Sequence, residues 1–172
     1  MVFTVFGHAV DNGIWYAVRG QSVRGWISGA TSLSASGTFV LYQSNPLGFT
    51  VLYPTAWTVT PVSGLVVFRG PGNVDTVTFR SGPPSTARPA TPPGRVLTGT
   101  TTVVPCGVTT AQYTYAPATG TGPLIALVRI PVDAKHDLAI EGVLRGKGDL
   151  LTFGNFVNSV AFTNPQCQGG AP

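Results

Sequence analysis

The chain reads as a β-rich α+β protein, with antiparallel strands and a single helix near its C-terminal end. Three observations predict this. Charged residues make up only 9% of the 172, too few to solvate the exposed faces of a helical bundle. Gly and Pro number 22 and 15, close to double ordinary usage, and so large a share calls for many turns. A clear helical spacing of apolar residues occurs once, at Phe153, Phe156, Val157 and Val160. Disorder is excluded as well, because 43% of residues are hydrophobic and 10% aromatic. The length allows one ordinary domain, or one domain with a small partner.

The elements follow in order. Phe3 to Phe6 is apolar, and Asp11-Asn12-Gly13 marks a tight turn. Ile14 to Arg19 is a strand, Gly20-Gln21-Ser22 turns the chain, and Arg24-Gly25-Trp26-Ile27 returns as the second arm of a hairpin. These residues resemble the back half of a bacterial SH3-like domain: Asp11, Gly13, Trp15, Tyr16 and Val18, then Arg24, Gly25, Trp26, Ile27 and Leu33. The resemblance implies a partial SH3-like β-barrel over residues 1–34 and attachment to cell-wall peptides. That family's opening strand has no counterpart before Val2. The chain is therefore expected to be a piece of a longer protein, or to lean this part on the next domain or another chain. A half-barrel has too little buried surface to stand alone. Trp15, Tyr16 and Trp26 are the candidate ligand-binding residues, since aromatics on a small barrel line peptide or glycan grooves; the competing reading makes them the half-barrel's core.

Residues 35–43, which begin within the small-residue run Ser34 to Thr38, read as a linker. Gly48-Phe49-Thr50-Val51-Leu52-Tyr53-Pro54 alternates at strand period until Pro54, which lacks an N–H for the ladder. Leu65 to Phe68, a turn at Gly70 to Asn73, and Val74 to Phe79 continue the strand pattern. Leu124 to Ile130 and Leu138 to Leu144 form a further pair around a turn at Asp133 to His136. Asp149 can cap the start of the helix. The order "G-F-x-V-x-Y-P-x-x-W-x-V", an apolar strand, a Gly/Pro turn and another strand is similar to the PsbP-like fold. So is the closing "F-x-x-S-x-x-F" at Phe156, Ser159 and Phe162. The resemblance spans residues 44–163 and implies an antiparallel sheet with one C-terminal helix packed on it. It departs from the family at residues 81–98, where Pro83, Pro84, Pro89, Pro92 and Pro93 forbid the usual helix and predict an extended loop. Residues 164–172 are read as a tail.

The net charge of +4 rests on ten scattered Lys and Arg against six acids. That scatter argues against a nucleic-acid interface, which needs a clustered stripe. Weak attraction to an anionic polymer such as a cell wall fits the same charge. Cys106 and Cys167 stand 61 positions apart. They are either buried thiols or, on the preferred reading, a disulfide tying the tail to mid-chain in an oxidising compartment. No apolar run is long enough to cross a membrane as a helix. No signal peptide is visible, so secretion rests on composition or on a segment upstream of Met1.

Catalytic readings are weak. Asp133, Asp137 and Glu141 would share a face only if helical, and Pro131 argues for turn and strand instead. Cys106 with His136 is the one thiol–base pair worth naming. Two histidines and no acid-rich loop leave no metal site, and no phosphate-loop or dinucleotide fingerprint calls for a cofactor. Phe49, Tyr53, Trp57 and Phe68 are expected in the core. The resemblances thus imply a non-enzymatic module of the extracellular space or cell envelope, with a cell-wall peptide, a glycan or another envelope protein as partner. The alternatives are a structural domain of a larger surface protein and an unrecognised hydrolase.

Overall fold

The structure, a computed structural model, describes residues 4–10, 14–19, 24–28, 39–145 and 147–162, the first three stretches by backbone alone. Its strands are β1 (Thr4–Val10), β2 (Ile14–Arg19), β3 (Arg24–Ser28), β4 (Phe39–Ser44), β5 (Phe49–Pro54), β6 (Thr58–Val62) and β7 (Leu65–Arg69). After them come β8 (Thr76–Gly82), β9 (Arg95–Val103), β10 (Thr110–Pro117), β11 (Leu124–Pro131) and β12 (Asp137–Leu144). Helix α1 (Lys147–Asn158) and the short β13 (Ala161–Phe162) close the described chain.

β1, β2 and β3 form a three-stranded antiparallel meander, with a register slip between Val5 and Gly7. The hairpin expected between Ile14 and Ile27 is present. A barrel is not: the three strands do not close among the described residues, and nothing in them identifies an SH3-like domain. The expected turns at residues 11–13 and 20–22, and Leu33, lie outside the described residues.

The rest is built on a seven-stranded antiparallel sheet in the order β6-β7-β8-β12-β11-β10-β9. Alternation at period two sends Val66, Phe68, Val77, Phe79, Leu138, Ile140 and Leu144 to one buried face. Two elements cover that face. One is α1, whose Phe153, Phe156 and Val157 are fully buried, joined by Val160 just beyond its end. The other is the small sheet β13-β5-β4. Aromatic rings hold the layers together. Phe49 of β5 stacks on Phe79 of β8 with centroids 4.8 Å apart, and Phe68 meets Phe156 edge-on at 5.3 Å. Each such ring contributes about 2 kcal/mol by burial alone, and edge or offset contact adds to that. Phe49 and Phe68 are core as expected, with Tyr53 and Trp57 packed half-buried against them.

Ser159 ties the helix end to the small sheet. Its hydroxyl donates to the Phe156 carbonyl at 2.8 Å and accepts the Leu52 N–H at 3.0 Å. The serine of the closing F-x-x-S-x-x-F segment therefore satisfies backbone groups on both sides of the joint. Asp149 lies in the first turn of α1, two residues inside its start, where a carboxylate complements the helix dipole.

Two boundaries differ from expectation. The linker expected over residues 35–43 is strand from Phe39 onward, because Phe39 to Ser44 pair residue by residue with β5. The loop expected over residues 81–98 is narrower, since β8 runs to Gly82 and β9 starts at Arg95. No α-helix occupies residues 83–94, as the prolines require. The segment forms a strap over the face of the sheet that α1 leaves uncovered. Asp137 and Tyr115 point to that side, and they hold the strap through the Ser85 N–H and the Pro89 carbonyl.

Candidate binding site

Strand register decides how the N-terminal aromatics are arranged. Trp15 pairs with Ser28, Tyr16 with Ile27 and Trp26 with Ala17. Directly paired residues share a face and neighbours in sequence alternate. Trp15 and Trp26 therefore occupy diagonal positions on one face of the meander, and Tyr16 a position on the other.

In the larger domain the candidate surface is the sheet face away from α1. Across its centre run Val67, Thr78, Glu141, Leu127 and Tyr113, in register on five adjacent strands and all half-buried. Arg80 and Arg129 flank Ala139 in the next row. At one end of this face lies a shallow groove of about 630 Å³ lined by Asn73, Val74, Thr121, Pro123, Val143 and Arg145. Asn73 holds a left-handed backbone, φ 55°, that only a few residue types adopt readily. The groove offers the Arg145 guanidinium and the polar side chains of Asn73 and Thr121 beside the apolar Val74, Pro123 and Val143.

Asp133 and Asp137, two of the three acids singled out in the sequence, hold backbone amides, as does Asp75. Asp75 accepts the Arg145 N–H at 2.8 Å, and the buried Asp137 accepts the Ser85 N–H at 2.7 Å. Asp133 accepts the N–H groups of Lys135 and His136 at 2.6 and 2.8 Å. Its carboxyl is held below the usual carboxylate range, first by the Lys135 N–H and then by the His136 ring. Asp133, Asp137 and Glu141 lie on a turn and a strand, so the helical alignment of the three carboxylates does not form.

Nor is the thiol–base pair assembled. The His136 ring nitrogen sits 3.1 Å from Asp133 Oδ1. Cys106, in a tight turn with φ 54°, is not a free thiol. Cys167 and the tail over residues 164–172 lie outside the described residues. Among the described residues no group of three or more His, Cys, Asp and Glu is arranged to hold a metal. No helix among them is long and apolar enough to cross a membrane.

No family model matches the chain, and no curated protein matches it in sequence. Solved structures do. The solution structure of cyanobacterial PsbP (CyanoP) from Synechocystis sp. PCC 6803 is similar over 76% of this chain and 97% of its own, at 15% identity and a TM-score of 0.49. A crystal structure from Bacteroides thetaiotaomicron is similar over 74% of this chain, at 11% identity and a TM-score of 0.50. The matched region spans 49% of that Bacteroides chain. At such identities likeness concerns fold, and no activity travels with it.

Sequence reasoning missed the row across the strap-side face of the sheet. Its residues sit on five strands, and only Leu127 and Val67 belong to apolar runs. The alternating signal along β12, with Glu141 between Ile140 and Gly142, was the one clue that this strand faces two environments.

Proposed function

We propose that this chain is a non-enzymatic binding or accessory module acting outside the cytoplasm, at the cell envelope. Its larger part, from about residue 44 to residue 163, is a PsbP-like domain. Its N-terminal meander, whose sequence resembles the back half of a bacterial SH3-like domain, contacts a cell-wall peptide or glycan. The observation that carries the reading is the register that puts Trp15 and Trp26 on one face of β2 and β3. Two tryptophans on one face of a small sheet are a common means of binding ring-bearing or extended polar ligands, by stacking and apolar contact. The compartment is supported by Cys106, which is not a free thiol. A Cys106–Cys167 disulfide suits an oxidising environment.

Co-sedimentation of the full chain with purified, insoluble cell walls tests the reading at low and high salt. Binding that persists at high salt is expected, because stacking is not screened as exposed charge is. Binding that vanishes with salt would reduce the interaction to the net charge of +4.

A second reading makes the chain a structural domain of a larger surface protein. It is favoured by the acids, since Asp75, Asp133 and Asp137 all hold backbone amides. Absence of wall binding at any salt, in a folded protein, would select it.

A further inference from the structure

The seven-stranded sheet ends in two edges of opposite character. Edge β6 is five residues long and carries Pro61, which has no N–H to offer a further strand. Edge β9 is nine residues long, contains no proline, and bears no charge beyond Arg95 at its start. Its only strand partner among the described residues is β10. Val96 and Leu97 are 46% and 38% exposed, and Thr100, Thr101 and Thr102 are exposed beside them. A long, uncharged edge is a template for pairing with another chain. One irregularity blunts it: the register slips at Thr98, whose hydroxyl turns back to the Thr114 carbonyl at 3.2 Å. Beyond that slip Gly99 to Val103 pairs regularly with β10.

We propose that Gly99–Val103 joins two copies of this chain, antiparallel about a two-fold axis at Thr101, into one continuous sheet. In such an isologous contact the segment meets its own reverse. Thr101 of one copy faces Thr101 of the other, Thr100 faces Thr102, and Gly99 faces Val103. None of these residues is charged, so no like-charge pair opposes closure. Threonine is a favoured strand residue, and its methyl and hydroxyl pair well across strands. A foreign peptide added to an edge draws its specificity from side-chain pockets alongside. The self-complementary segment needs no such pocket. Five residues per copy make a small contact, below about 1,200 Å² in total, so the dimer is weak and concentration-dependent.

Sedimentation velocity of the full chain, from micromolar to millimolar concentration, tests this. A reversible monomer–dimer equilibrium is expected for the natural sequence. Thr101→Lys sets two ammonium groups against each other across the axis and weakens the dimer by about tenfold or more; Thr101→Glu does the same with carboxylates. An equimolar mixture of the two variants associates at least as well as the natural chain, because Lys now faces Glu. Thr100→Lys combined with Thr102→Glu in one chain tightens the dimer, an outcome that misfolding cannot imitate. A monomer at every concentration overturns the proposal. So does a mixture that associates no better than its components, or a dimer indifferent to position 101.

Discussion

Phe153 of α1 packs directly over Gly142 of β12. A Cβ at position 142 would stand 2.5 Å from Phe153 Cδ2 and 2.8 Å from Cε2. The fully buried ring of Phe153 fills the space a side chain would take, and the helix approaches its sheet as closely as a bare backbone permits. Gly142→Ala is expected to cost about 1–3 kcal/mol by overpacking, read as a lower urea midpoint. Adding Phe153→Leu to it should recover part of the loss, a coupling that only neighbours in contact show. Independent, additive effects would mean that the helix sits elsewhere.

Ser159→Ala removes the hydroxyl that accepts the Leu52 N–H and donates to the Phe156 carbonyl. One part-buried amide is left without its partner, at an expected cost of about 1–2 kcal/mol. Amide exchange at Leu52 should quicken more than exchange at Ile140, in the centre of the larger sheet.

Asp137→Ala frees the strap at Ser85, since the carboxylate accepts that N–H at 2.7 Å. A hydrogen bond to a charged acceptor is worth about 2 kcal/mol. The measurable result is faster proteolysis within residues 83–94 with the remaining domain intact. Unchanged cleavage would show that Pro89 and Tyr115 hold the strap by themselves.

The β11–β12 turn should loosen in acid. Asp133 is held below its ordinary value by the Lys135 N–H and the His136 ring. A carboxyl depressed in the folded state stabilises it above the unfolded value, and that contribution is lost as pH falls through the folded value. Chemical shifts of Lys135 and His136 should therefore move below about pH 4. Asp133→Asn should abolish that transition.

The two cysteines should be joined. Alkylation of the unreduced protein is expected to add no label to Cys106 or Cys167, and intact mass reads this directly. A loop of 61 positions would stabilise the fold by roughly 4 kcal/mol through the unfolded chain's lost entropy. Two labelled thiols would remove the main support for an oxidising compartment.

Much of the fold was legible because its core strands obey simple alternation. β5, β7, β8, β11 and β12 carry Phe, Val, Leu and Ile at period two, and α1 carries its apolar residues at helical spacing. β9 and β10 were not legible. Thr98, Thr100, Thr101 and Thr102 form an edge with no buried face to impose alternation. In β10 the core-facing positions are Gln112 and Thr114, while Tyr113 and Tyr115 turn to the strap side. β4 was hidden for the same reason: Val40 and Leu41 lie on an edge and are 40% and 42% exposed. Of the candidate site, the tryptophans were visible as residues, but their common face was not. That depends on a cross-strand register which the spacing between hairpin arms does not determine.

The envelope-binding reading rests most directly on Trp26. In co-sedimentation with purified cell walls at high salt, Trp26→Ala should weaken binding by about tenfold or more, because truncating an indole anchor removes roughly 2 kcal/mol or more. Circular dichroism should show the fold unchanged. Full salt-resistant binding by a folded Trp26→Ala protein would contradict the account, and so would unfolding of the meander on that change, which would make Trp26 core.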